Sequence, residues 1–406
     1  MHHFVASAPW DERAVLDVAR EHALIGLERH APVAAWVVDD KGIPKQGAAS
    51  VGVARQYCGV LGKADNCQVT VSISLCNATL SVPCAWRLYL PEEWANDKQR
   101  RVAAGVPDEV KFATKGQIAL QEIDVPLEAD LPRAPVVAGA GYGAATSLRG
   151  GLRARSLHYA VGVLPETTVW PQGDGPLRPK RRQPTGRPPT NLRSDSKHQP
   201  VSLKALAGSL PQQAWKPVRW REGTKGRMES RFACVRVRSA HRDYNLSEPR
   251  EEEWLVIEWP QSEAEPTKYT LSSLPRSTSL EELVRLIKLR WRVERDYQEL
   301  KSELGIDHYE GRGWRGFHHH GVLCIAAYAL LVAERARLSP LSLTPSSKPL
   351  DYPRASDRVG LPTRPERHVR ASIETLRAQV ARVLLQWLPG CPWCGTSHEP
   401  LLFMTQ

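Results

Sequence analysis

The chain has 406 residues, 42% hydrophobic and 24% charged, with 55 Lys+Arg against 44 Asp+Glu for a formal charge of +11. That length leaves room for roughly two or three compact units with a buried core, and the basic excess favours a polyanionic partner such as nucleic acid, although a basic surface without that role gives the same count. No run of about 18 apolar residues is present, the start carries no leader pattern, and eight thinly spread cysteines read as reduced core thiols, so a cytoplasmic protein with no membrane span is expected.

Residues 10 to 29 have a helical stripe (Val15, Val18, Ala19, Ala23, Leu24, Leu27) behind a capping Asp11. After Pro32, the run Val33-Ala34-Ala35-Trp36-Val37-Val38 suits a strand buried on both faces that ends at Asp39-Asp40. Strands around 50–59 and 67–75 follow on Gly- and Asn-bearing turns, which predicts a three-stranded antiparallel meander. A polar, helix-prone stretch runs from Pro91 to about Ile123. Val136-Val137-Ala138 is a short strand leading into Gly139-Ala140-Gly141-Tyr142-Gly143, a helix follows, and residues 157 to 163 are another strand.

Residues 171 to 200 are rich in Pro and Arg, with Lys180-Arg181-Arg182 and Arg187-Pro188-Pro189, and read as a linker. Strand character returns at 231–238, 254–259 and 268–272. From Ser279, with Glu282 completing a capping box, Leu283, Leu286, Ile287 and Val293 recur at helical spacing. Further helices are expected from about His320 to Arg335 and near 373–388. The expected division is an N-terminal helical segment (1–30), the first part of an α/β domain (31–170), a Pro/Arg-rich linker (171–214), a β-rich insertion (215–278), a final helix of that domain with its successor (279–338), and a tail (339–406).

Two features point to chemistry. Asp39 at a strand end suits a rigid carboxylate ligand for a hard cation such as Mg²⁺, while Asp39-Asp40-Lys41-Gly42 equally suits a polar turn. Arg290, Glu294, Tyr297 and Lys301 share one helical face, so a metal-binding carboxylate flanked by phosphate-binding cations is one reading and a solvated ion-pair ladder the other. His318-His319-His320 point different ways, which favours packing or phosphate contact over a metal. Cys391-Pro392-Trp393-Cys394 with His398 is half a zinc knuckle. Trp254 and Trp259 suit base stacking, or core at strand spacing.

Several blocks in order carry a resemblance. Asp39 to Gly59, with Lys45-Gln46-Gly47 and Gly52-Val53-Ala54-Arg55-Gln56-Tyr57-Cys58-Gly59, resembles the first catalytic segment of bacterial insertion-sequence transposases of the DDE superfamily. Leu88-Tyr89-Leu90-Pro91-Glu92-Glu93-Trp94 is similar to that group, as is Arg290 to Arg312 with Gly305-Ile306-Asp307-His308-Tyr309-Glu310-Gly311-Arg312. Arg290, Glu294 and Lys301 match the last three members of its Tyr–Arg–Glu–Lys signature. The first member falls at Ile287, a departure. The resemblance spans most of residues 10 to 335.

The resemblance implies an α/β, ribonuclease H-like fold: a mixed sheet with flanking helices, interrupted by a β-rich insertion and followed by a helical C-terminal part. It implies two Mg²⁺ (or Mn²⁺) ions roughly 3.5–4 Å apart, held by three carboxylates, that cut and rejoin DNA. Asp39 is the first carboxylate, with Asp40 beside it as the fallback, and Glu294 is the third. Arg290, Lys301 and Arg292 would contact DNA. The second carboxylate belongs directly after Val136-Val137-Ala138, where Gly139 stands. Asp124 and Asp130 precede that strand and would need a register shift. The expectation is therefore a transposase homologue with impaired activity and weakened metal binding, or a catalytically dead DNA-binding remnant. Its partners would be terminal inverted repeats and target DNA, bound as a homodimer in the nucleoid.

Overall fold

The computed structural model describes residues 2–180, 190–223, 226–338 and 372–386. The basic residues 181 to 189, the Pro-rich stretch 339–365 and the Cys391/Cys394/His398 group are outside the described residues, apart from Lys180.

A short helix, α1 (His2–Ala6), precedes α2 (Glu12–Glu28). Asp11 caps α2 by accepting the backbone N–H of Arg13, one of the donors a helix start leaves without an internal partner. The strands that follow are β1 (Ala35–Pro44), β2 (Ala54–Cys58), β3 (Lys63–Cys76) and β4 (Ser81–Leu88). β1 does not stop at Asp39. β3 backs it along its whole length, from Ala35 opposite Cys76 to Pro44 opposite Cys67, so Asp39 lies mid-strand. The expected meander is also rearranged. β3 stands between β1 and β2, and β2 and β4 share the far edge of β3. β4 was not expected from periodicity. Its run contains Pro83, accommodated where the register shifts between Ile73 and Ser74, as proline in a strand requires.

The polar stretch expected as one helical region is three helices: α3 (Glu92–Asn96), α4 (Lys98–Ala103) and α5 (Lys115–Glu128). Asp97 caps α4, and Thr114 with Gln117 makes a capping box on α5. Then come β5 (Val136–Ala138), α6 (Ala140–Gly143), α7 (Thr146–Ala154) and β6 (Tyr159–Val163). β1, β5 and β6 are parallel, β3 runs antiparallel beside β1, and β4, antiparallel to β3, runs in the same direction as β1. The order β4-β3-β1-β5-β6 is the mixed sheet of a ribonuclease H-like fold. Trp36, Val37 and Val38 at its centre are fully buried, each stabilising the fold by about 1.5–3 kcal/mol, which holds the next residue, Asp39, firmly in place.

The insertion is not a separate layer. It comprises β7 (Thr168–Pro171), β8 (Val201–Ser202), α8 (Leu203–Ser209), β9 (Lys216–Gly223), β10 (Gly226–Ser239), β11 (Glu252–Trp259) and β12 (Lys268–Ser272). β12 pairs antiparallel with β6, from Tyr269 opposite Val163 to Ser272 opposite Ala160. The central sheet therefore continues through β12, β11, β10, β7 and β8. Part of the stretch expected as linker is folded against this extension, since Leu203 and Ala207 of α8 pack with Val169, Val237 and Leu255.

The chain returns through α9 (Leu280–Lys288) and α10 (Arg290–Leu304), two helices where one pattern was expected, separated at Leu289. The Ser279–Glu282 capping box forms as the sequence indicates. Gly305 ends α10 at φ 64°, a left-handed conformation that favours glycine. α11 (Trp314–Leu338) packs against α2 and β4, and α12 (Ile373–Gln386) packs against α11 and α10. Among the described residues no helix is long and apolar enough to cross a membrane.

Candidate active site

The site grows out of a strand register. Trp36, Val37 and Val38 of β1 stand opposite Val136, Val137 and Ala138 of β5. Asp39 is the next residue of β1 and Gly139 the residue directly after β5, so the two stand side by side where the parallel pairing ends. Side chains alternate along a strand, so Lys41 falls on the same face as Asp39. Its Nζ lies 2.7 Å from Asp39 Oδ2 and 5.0 Å from the centre of the Tyr297 ring. Asp40 points away and is held by Lys115 at 2.6 Å.

The first turn of α10 crosses above this end. Arg290 Nη2 lies 3.7 Å from Asp39 Oδ1 and 3.6 Å from Glu294 Oε1. One nitrogen thus joins two carboxylates 255 positions apart in numbering. Asp39 is buried, 5% exposed, while the Glu294 side chain is 59% exposed, facing the solvent side of the groove. Burial, reinforced by the Asp40 and Asp39 carboxylates, pushes the Tyr142 hydroxyl well above its ordinary range. Burial and Asp39 do the same to Tyr297. Both phenols therefore stay protonated beside the carboxylates.

Gly139 has φ −75° and ψ 174°, ordinary extended backbone open to any residue. A Cβ there would lie 3.4 Å from Cζ and Nη1 of Arg290. The close approach that does require glycine is one step away. A Cβ on Gly143 would collide with the carbonyl oxygen of Gly162, and one on Gly162 would lie 2.8 Å from the backbone nitrogen of Ala140. These two glycines let α6 settle on β6, which sets the position of Gly139.

Of the expected DNA contacts, Arg290 is in the site. Lys301 is farther along α10, 3.9 Å from Asp307. Arg292 turns back and donates to the carbonyl oxygens of Thr79 and Ala78, and burial lowers its pKa; its guanidinium ties α10 to the β3–β4 turn. Tyr297, on the same helical face by spacing, is fully packed away. Asp124 is gripped by Arg155 through two bonds of 2.5 and 2.6 Å. Arg155 precedes β6 and Asp130 precedes β5, so both aspartates belong to the end where those strands begin, opposite Gly139.

The histidines have structural partners. His318 Nδ1 faces the carbonyl of Trp314 and its Nε2 accepts the N–H of Leu88, and burial lowers its pKa to about 4. His319 stacks on Trp10 with both ring nitrogens at the carbonyls of Val5 and Trp10, and His320 faces the carbonyl of Gly305. Trp254 and Trp259 pack within the insertion and donate to the carbonyls of Pro275 and Glu263.

A cleft of about 450 Å³ opens beside the carboxylates, walled by Gly139, Arg290 and Glu294 and by Trp220, Arg221 and Trp291. Arg221, from the insertion, lies over the Trp291 ring at 3.7 Å. Nothing in the local pattern around Arg221 signals this contact, whereas Lys41 follows from alternation once β1 is known to continue past Asp39.

The donor set does not fit an intact two-ion centre. Two carboxylates meet two cations, Lys41 and Arg290, and Gly139 supplies no oxygen ligand. Among the described residues no three His, Cys, Asp or Glu side chains are grouped to hold a metal.

The model of the family described as DDE superfamily endonuclease matches residues 1–227. A protein of Microchaete diplosiphon, "Probable transposase for insertion sequence element IS701", is 32% identical over 119 residues, covering 29% of this chain and 28% of that protein. The chain thus matches less than a third of that relative's length. With a family match over more than half its residues, the chain belongs to the DDE superfamily of endonucleases.

Proposed function

We propose that the chain is a transposase homologue that binds transposon-end DNA along the groove over Asp39 and Glu294, with strand cutting impaired by Gly139. The observation that carries this reading is the register of β1 with β5, which sets Gly139 beside Asp39 where a second acidic ligand would complete the site. Glu294 faces the same point through Arg290. Mg²⁺ or Mn²⁺ would find two carboxylates already opposed by two cations, so binding would be weak. Arg290, with its third of exposed surface, and Lys301 would meet phosphates, and a homodimer would bring two ends together.

A second reading is a remnant that binds DNA without chemistry. The Arg290 guanidinium favours it, because it spans both carboxylates and, with Lys41, neutralises them without metal. Nicking of a duplex carrying the element's ends, in Mg²⁺ and in Mn²⁺, separates the two. Slow nicking lost in Asp39→Asn supports impaired catalysis, and none above that variant supports the remnant. Rapid metal-dependent nicking by the unaltered chain would overturn the impairment, with Asp124 held elsewhere by Arg155.

A further inference from the structure

At the other end of the insertion sheet lies an open pocket of about 440 Å³, away from the carboxylates. Its position follows from pairing. Arg236 stands opposite Trp254, Trp254 opposite Ser272, and Ser272 opposite Ala160, so the pocket lies towards the starts of β5 and β6. The segment 273–276 borders it and leads into α9, whose far end delivers Arg290. Nine residues of helix span roughly 14 Å, so pocket and carboxylates sit at the two ends of α9.

Four arginines (Arg153, Arg236, Arg238 and Arg276) line the pocket with Glu251 and Glu252. Three of the four have a carboxylate partner. Arg238 and Arg276 reach Glu252 at 3.7 and 2.7 Å, and Arg153 reaches Glu253 at 3.7 Å. Arg236 has none within ion-pair distance among the described residues. It is 91% buried, its Nη2 donates to the backbone carbonyl of Glu252, and its plane lies over Trp254 at 4.9 Å. Its Nε and Nη1, and Nε of Arg238, are buried donors with no acceptor. A buried charged donor without an acceptor is destabilising, and burial with the neighbouring Arg276 lowers the pKa of Arg236. An oxyanion in the pocket would relieve both.

We propose that this pocket is a phosphate site, formed by Arg236 and Arg238 with Arg276 at its mouth, that takes one backbone phosphate of the bound DNA. The planar guanidinium fork suits a phosphate's oxygens. The length of α9 is close to about four base-pair steps of duplex at roughly 3.4 Å each, so a strand passing the carboxylates reaches the pocket within half a turn. Assignment to DNA rests on the function proposed above, whereas anion binding by the pocket does not.

The test uses the full chain with two probes. Inorganic phosphate at constant ionic strength should raise the Tm of the unaltered chain, and should not raise that of Arg236→Met. A 30-base-pair duplex titrated across NaCl should show a log Kd against log[salt] slope lower by about 1 in Arg236→Met and in Arg276→Gln. Arg276 is largely exposed, so its variant carries the test should Arg236→Met fail to fold. Phosphate no more effective than chloride overturns the site. Phosphate binding with an unchanged slope overturns the DNA assignment and leaves a free-anion site. A chain that binds phosphate here but no duplex sinks the proposed function and this DNA assignment together, and spares the anion pocket.

Discussion

Replacing Gly139 by aspartate tests the site most directly. The backbone at φ −75° needs no glycine, and the new Cβ would sit 3.4 Å from the Arg290 guanidinium, an ordinary contact. A carboxylate there would bond to Arg290. Such charged hydrogen bonds contribute about 1.5–3 kcal/mol, and exposure of more than a third of the Arg290 side chain reduces this to about 1 kcal/mol or less. In chelator, Gly139→Asp should therefore unfold at or slightly above the Tm of the unaltered chain. The larger effect comes with metal. Asp39 and Glu294 are balanced by Lys41 and Arg290, and a third carboxylate tips the site to net negative and supplies a further oxygen ligand. At a metal concentration about 100 times Kd, binding would stabilise the variant by about 2.7 kcal/mol, a Tm rise of a few degrees for a chain of this length. Thermal unfolding in chelator and in Mg²⁺ or Mn²⁺, with calorimetric titration, measures this. The rise should vanish when Asp39→Ala or Glu294→Ala is added. A folded Gly139→Asp protein with no metal response, or an unaltered chain responding equally, would refute the reasoning.

Gly143→Ala should destabilise the fold by about 2–4 kcal/mol in denaturant titration, because its Cβ would collide with the Gly162 carbonyl and push α6 off β6; an unchanged midpoint would show that α6 is not seated there. Asp296 is fully buried, and burial raises its carboxyl pKa to about 7 despite bonds from Ser81 and Tyr328. A raised carboxyl is worth most below its unfolded pKa near 3.8, and that stability is lost as pH rises through 7. Relative to Asp296→Asn, the unaltered chain should lose on the order of 4 kcal/mol between pH 4 and 7; parallel stability curves would contradict this. Charge removal at Arg290 and Lys301 together should lower the salt slope of duplex binding by up to about 2, and a slope unmoved by both changes would remove them from the DNA path.

Local chemistry wrote the features that depend on neighbours in the chain. The caps at Asp11 and Ser279–Glu282 are visible because the partners are two or three residues apart. The apolar run before Asp39 and the short strand before Gly139 are visible because strands buried on both faces read as unbroken apolar stretches. The matched blocks carried the ribonuclease H-like expectation and the acidic positions with it. Tertiary structure decided what depends on pairing and reach. That β1 runs on past Asp39 is set by β3, that β12 fuses the insertion to β6 is set by a register no periodicity encodes, and Pro83 hid β4 behind a bulge. Arg290 could be assigned to phosphate or to an ion-pair ladder from spacing alone. Only the fold brings its guanidinium between Asp39, Gly139 and Glu294, because a side chain's electrostatic partners are chosen by distance in space and those carboxylates stand 255 positions apart in the sequence.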